Sequence, residues 1–188
     1  MGAEYELKYK GNPAVMGTLP GPWHTLTMET TYYDTPSRKL SALHYTLRRR
    51  FENGVSVCTL KTPGNHGVRG EWETECENIV DAIPVLCKLG CPEQLPSLCQ
   101  EGLLPLCGAR FVRKTQLLEL PGCTAELALD NGILFGNHTQ SPLCEIELEL
   151  KGGSREALDA FAKDFAAKHD LQPEEKSKFA RALALCED

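Results

Sequence analysis

Two acidic ladders stand near the ends of the chain: Glu4-Tyr5-Glu6-Leu7-Lys8 and Glu145-Ile146-Glu147-Leu148-Glu149. Both alternate charge with apolar bulk. A β-strand turns successive side chains to opposite faces, so each segment gathers its charges on one side and its Tyr, Ile or Leu on the other. Carboxylates two residues apart on a strand lie roughly 6 to 7 Å apart. At an effective dielectric near ~20 such like charges repel by about 2 to 3 kcal/mol each, which a cation between them would remove. One such ladder alone reads as the solvated face of a strand. Here, however, charge recurs in segment after segment: Arg48 and Arg50 share a face, Lys61 closes the run from Val55, and Arg69, Glu71, Glu73 and Glu75 fall at a strict period of two. The alternate positions are largely apolar, as with Leu43, Tyr45 and Leu47, or Trp72 between Glu71 and Glu73. One shared polar interior accounts for all of them.

The mixture of signs points to a ligand. Arg and Lys side chains converging on one lumen suit a polyanion with several phosphates, because guanidinium groups meet phosphate oxygens in a fork geometry. Clustered carboxylates without a His or Cys partner suit a hard divalent cation such as magnesium or manganese. A metal-bound oligophosphate satisfies both. No Ser-His-Asp or Cys-His arrangement calls for a covalent intermediate. The nine cysteines include no C-x2-C pair, so they read as reduced thiols, not zinc ligands. The five histidines lack ligand spacing. Gly64, Gly67 and Gly70 lack the strand-to-helix setting of a phosphate-cradling loop.

The elements that must position these residues are mostly strands. Beyond the first ladder, strand patterns fall at about 28 to 34, 43 to 51, 54 to 61, 69 to 76, 109 to 120, 123 to 130 and 143 to 151. Turn signals stand at Asp34-Thr35-Pro36, Asn53-Gly54, Pro63-Gly64-Asn65 and Asp130-Asn131-Gly132. Residues 79 to 107 lose the alternation and read as short helices. Gly152-Gly153 ends the sheet, Ser154 caps a helix through residue 169, and a second helix runs from about 174 to 185 with Phe179 and Leu183 inward. The expected fold is α+β, mainly β: a closed, antiparallel eight-stranded barrel with helices packed outside. Closure removes exposed edges. A charged interior makes sense only as a wet tunnel.

The chain of 188 residues fits one domain, 1–188, with C-terminal helices at about 154–186. With 26 acidic and 20 basic residues and a net charge of −6, its overall field disfavours nucleic acid and anionic membranes. An apolar leader and any run of about 18 apolar residues are lacking, so a cytoplasmic location is expected.

Several segments resemble, in order, those of the CYTH superfamily, the triphosphate tunnel metalloenzymes. The first ladder is similar to the family's E-x-E-x-K signature. Tyr32-Tyr33-Asp34-Thr35-Pro36, Leu47-Arg48-Arg49-Arg50, Thr59-Leu60-Lys61, Arg69-Gly70-Glu71-Trp72-Glu73, Arg113, Leu129-Asp130-Asn131-Gly132, the second ladder and Lys176-Ser177-Lys178 follow it. The E-L-E-L and A-L-D-x-G stretches look most like the bacterial inorganic triphosphatase branch. The resemblance implies metal-binding or catalytic carboxylates at Glu4, Glu6, Glu145 and Glu147, with Glu73 and Asp130 as further metal ligands and Glu71 beside Glu73 in a mid-barrel pair. It implies a substrate clamp of Lys8, Arg48, Arg50, Lys61 and Arg113, completed by Lys176 or Lys178, with Lys8 also among the catalytic groups. Glu75 and Glu149 are expected to be solvated near a tunnel mouth. Arg69 joins the clamp or pairs with a neighbouring Glu. The implied activity is magnesium- or manganese-dependent cleavage of inorganic triphosphate, a small-molecule substrate; thiamine triphosphatase, adenylyl cyclase and a non-catalytic polyphosphate-binding module are the alternatives. One departure is the stretch broken by Gly11, Pro13, Gly17, Pro20, Gly21 and Pro22, where the family commonly has a helix; it implies a more open tunnel end.

Overall fold

The computed structural model describes residues 2–64 and 69–186, leaving aside the side chains of residues 2 to 4 and of Arg69. The first ladder forms two short strands, β1 (Gly2–Glu4) and β2 (Glu6–Lys10), parted by Tyr5. After the short helix α1 (Pro13–Thr18) come β3 (His24–Asp34), α2 (Lys39–Ala42), β4 (Thr46–Glu52), β5 (Val55–Thr62) and β6 (Arg69–Glu75). Helices α3 (Ile79–Lys88) and α4 (Leu95–Leu98) with a 3-10 turn lead to the long strands β7 (Leu104–Leu120), β8 (Cys123–Gly136) and β9 (Thr139–Gly153). Helices α5 (Arg155–His169) and α6 (Lys178–Ala184) complete the order.

All strands join one antiparallel sheet in the order β1-β6-β5-β4-β3-β7-β8-β9-β2. Its edges, β1 and β2, are consecutive in the chain, so the sheet must curl until they meet. β2 pairs with β9 from Glu6↔Glu149 to Lys10↔Glu145, whereas β1 meets β6 over only Gly2↔Glu71, Ala3↔Gly70 and Glu4↔Arg69. The expected eight-stranded barrel is thus a strongly curled sheet whose closure is a short seam, with the first strand split in two.

Period-two alternation divides the two faces as the sequence implies. On the convex face, Tyr5, Tyr9, Leu127, Leu129, Ile146 and Leu148 pack with Leu158 and Ala162 of α5. Leu47, Leu60 and Trp72 pack with Ile79, Ile83 and Leu86 of α3 and Leu95 of α4. Helix α6 differs from the expectation of helices outside. Its Phe179, Ala182 and Leu183 meet Met28, Phe111, Leu134 and Leu143, which share strand parity with the charged concave positions. It therefore covers part of the concave face.

Two local expectations are corrected. Asp130-Asn131-Gly132 is not a turn: β8 runs unbroken through it, with Asn131 opposite both Val112 and Cys144. The hairpin bends instead at Asn137 and His138, Asn137 taking a φ of 47°. Helix α6 starts at 178, not 174. Residues 172 to 174 extend along β2, with Lys10 N donating to Gln172 O and Glu174 N to Lys8 O, before the Ser177 hydroxyl caps the helix by accepting from Ala180 N at 3.0 Å. Asp34, the last residue of β3, is fully buried and accepts from the backbone N–H groups of Thr35, Leu40 and Ser41, fixing α2. All nine cysteines are free thiols.

Candidate active site in the curled sheet

The concave face encloses a cavity of about 620 Å³. Alternation delivers Glu6 and Lys8 from β2, Arg48 and Arg50 from β4, Lys61 from β5, Glu71 and Glu73 from β6, Arg113 from β7, Glu147 and Glu149 from β9 and Lys178 from α6. The middle arginine of the triplet confirms the period: Arg49 lies outside this lining and donates to Glu77 O at 2.9 Å.

One wall is basic. Arg48 and Lys61 stand 3.8 and 3.3 Å from Glu71, and Arg50 pairs with Glu52. The Nε atoms of Arg48 and Arg50 are buried and have no hydrogen-bond partner among the described residues. Burial, and then the neighbouring Arg48 charge, push the Arg50 guanidinium down to about 10.

Across from that wall, Arg113, Glu147 and Lys178 line the cavity and belong to an ion knot whose other carboxylates, Asp130 and Glu145, are buried outside the lining. Asp130, Glu145 and Glu147 are buried, and each contributes a carboxylate oxygen lying within 4.8 Å of the others. Lys178 Nζ touches all three, at 2.9 Å from Asp130, 2.6 Å from Glu147 and in contact with Glu145. Arg113 forks onto Asp130 at 2.7 and 2.6 Å and reaches Glu147. Arg181 bridges Glu145 to Glu174, at 3.1 Å from the latter. Burial alone would raise Glu147 and lower Lys178, yet the partners win: Glu147 is held well below its ordinary value by Lys178 and Arg113, and Lys178 lies well above its own. Glu145 is raised, because burial outweighs its cationic neighbours.

The expected metal ligands are therefore brought together only in part. Asp130, Glu145 and Glu147 converge, whereas Glu6 lies further along the wall, opposite Glu149 and 3.9 Å from Lys8. Glu73 is exposed on β6, outside the converging group. The side chains of Glu4 and Arg69 lie outside the described residues. Of the two C-terminal lysines, Lys178 enters the cavity; Lys176 is exposed and lines an adjoining recess with Lys61, while its carbonyl accepts from Lys8 Nζ at 3.4 Å. Glu75 is exposed and outside the lining, as expected, but Glu149 lines the cavity and pairs with Lys151 at 2.8 Å. Glu126, Lys151, Glu174 and Arg181 were not anticipated from sequence. Arg181 carried a signal, since three residues after Lys178 it falls on the same helix face.

The donor set fits a hard divalent cation: three carboxylates, all oxygen donors, already converge on one cation, the Lys178 ammonium.

The class of protein is defined by a strongly curled antiparallel sheet whose concave face encloses one cavity lined by both basic and acidic side chains. The family model for the CYTH domain matches residues 2–183, and the chain belongs to that family. Among curated proteins, the inorganic triphosphatase of Haemophilus influenzae is 30% identical over 195 residues, covering 97% of this chain and 54% of that protein. The chain thus spans about half the length of the curated relative it matches. Among solved structures, HpAC1 from Hippeastrum, described with a dominant triphosphatase activity, aligns with a TM-score of 0.67 at 20% identity, over 98% of this chain and 97% of that one. PH1819 from Pyrococcus horikoshii aligns with a TM-score of 0.64 at 21% identity, over 96% and 98%. Among the described residues, no helix is long and apolar enough to cross a membrane.

Proposed function

We propose that this protein is a divalent-metal-dependent triphosphatase that cleaves inorganic triphosphate, a small-molecule substrate, to diphosphate and phosphate inside the cavity. The observation that carries the reading is one cavity lined by Arg48, Arg50 and Lys61 and also by Glu147, the carboxylate that converges with buried Asp130 and Glu145. The name of the Haemophilus influenzae relative supports the choice of substrate.

Lys8, Arg48, Arg50 and Lys61, whose side chains line the cavity, bind the phosphate oxygens. By gathering at the leaving diphosphate they stabilise the charge that develops there, the main task of a protein in phosphoryl transfer. Asp130, Glu145 and Glu147 would hold magnesium or manganese, which when bound supplies charge neutralisation at the phosphates. Glu6 and Glu149, paired on adjacent strands at the cavity surface, orient the attacking water and accept its proton.

The test is phosphate release from tripolyphosphate, thiamine triphosphate and ATP with magnesium or manganese. Metal-dependent release, fastest with tripolyphosphate, is expected. Absence of release from every substrate, or conversion of ATP to a cyclic nucleotide, overturns the reading.

A further inference from the structure

Lys178 holds two positions at once. Its ammonium is the point on which Asp130, Glu145 and Glu147 converge, and its side chain lines the same cavity as Arg48 and Arg50. An ammonium has three N–H donors; here one is given to Glu145 and one to Glu147, and the charge also stands 2.9 Å from Asp130. In this arrangement the ammonium is committed to the carboxylates.

The neighbouring cations are placed differently. Arg113 lies to one side, forked onto Asp130, and Arg181 holds the other oxygen of Glu145. Both would keep the carboxylates anchored if the ammonium left. Lys178 is the first residue of α6, whose position is fixed by the Ser177 cap and by Phe179, Ala182 and Leu183. Its flexible four-carbon stem can turn without moving that helix.

We propose that Lys178 is an exchangeable cation: a divalent metal ion bound by Asp130, Glu145 and Glu147 takes the place of its ammonium, which then turns into the cavity to bind a phosphate oxygen. The inference rests on the metal-dependent triphosphatase reading above. A divalent ion brings twice the charge in a smaller volume and accepts about six oxygen ligands, so it satisfies the carboxylates at least as well. Metal binding then arms the clamp through one side chain, and by linkage the triphosphate favours metal in return.

Calorimetry on the wild type and on Lys178→Met tests the exchange, with manganese alone and then with tripolyphosphate at saturating manganese. Removing the competing ammonium should tighten manganese binding about tenfold, while removing the armed lysine should weaken tripolyphosphate binding about tenfold. Manganese affinity that is unchanged or weaker in the variant overturns the proposal. Should Lys178→Met fail to fold, acetylation of wild-type Lys178 by acetic anhydride, read by mass spectrometry against exposed Lys163, replaces it. Manganese should speed that acetylation several-fold, and an equal or slower rate overturns the exchange. If the wild type still releases phosphate with manganese, only the exchange falls; if it does not, the hydrolase reading falls with it.

Discussion

Glu147 is buried, and burial alone would push its carboxyl upward; Lys178 and Arg113 overcome that and hold it well below its ordinary value of 4.5. Replacing it with Gln leaves those two cations short of a partner in a poorly solvated place, a change of the kind that costs about 3 to 5 kcal/mol. The pH dependence has a definite sign. A carboxyl whose folded value lies below its unfolded one stabilises the protein above about pH 4.5, and that contribution drains away as pH falls through the folded value. Urea denaturation should show Glu147→Gln much less stable than wild type at pH 7, with the gap narrowing below pH 4.5. A gap independent of pH would mean that the ion knot does not hold Glu147 in this way. Glu145 works in the opposite sense, because its raised value favours the folded state as protons bind. Residues at this scale were legible where charges repeat every second position, as in Glu6 and Lys8 or Arg48 and Arg50, since that period alone fixes the face. Glu126 was not, because Thr124 and Ala128 flank it at that spacing and leave a lone charge. Arg181 was missed because its meaning depends on the face that α6 turns to the sheet.

Strand and helix boundaries show where local chemistry is overruled. Asp130-Asn131-Gly132 has the composition of a hairpin turn, yet β7 and β9 pair with it on both sides and absorb its backbone hydrogen bonds. Gly132 serves close packing there, not a bend. A Cβ at this position would stand 2.1 Å from Arg110 O and 2.5 Å from Phe111 Cα, both main-chain atoms of the neighbouring strand. Gly132→Ala should therefore destabilise by about 3 kcal/mol, the upper part of the range for overpacking, visible as a lower urea midpoint. An unmoved midpoint would show slack in the β7–β8 ladder. The start of α6 illustrates the same point in reverse. Helical propensity runs from 174, but backbone pairing with β2 delays the helix to the Ser177 cap, and that delay decides between the lysines: Lys178 falls on the helix facing the cavity, Lys176 on its exposed approach.

Across the whole molecule, the net charge of −6 conceals a cavity whose β4 and β5 wall is basic. The alternating strands made the inverted arrangement readable, with charge inward and apolar faces against helices. The partial closure was not readable, because it depends on how few residues of β1 reach β6, and hydrophobic period says nothing about ladder length. Nor was the covering of the concave face by α6, since an amphipathic helix fits either side of a curled sheet. Arg48 and Arg50 share the cavity face of β4, and burial, then repulsion from Arg48, bring Arg50 down to about 10 against the pull of Glu52. Tripolyphosphate should relieve that repulsion and raise the melting temperature. At about 100 times its Kd a ligand contributes about 2.7 kcal/mol, and for a domain of this size that is about 5 to 10 °C. The rise should shrink as salt is added, although the cavity wall is screened less than an open surface. Arg50→Ala separates stability from binding: the repulsion against Arg48 and the pairing with Glu52 are lost together, so the ligand-free melting temperature should move little, while the rise caused by tripolyphosphate falls. Thermal melts with and without tripolyphosphate measure both quantities together. An undiminished rise in the variant would remove Arg50 from the phosphate-binding wall, and no rise in the wild type would remove the wall itself.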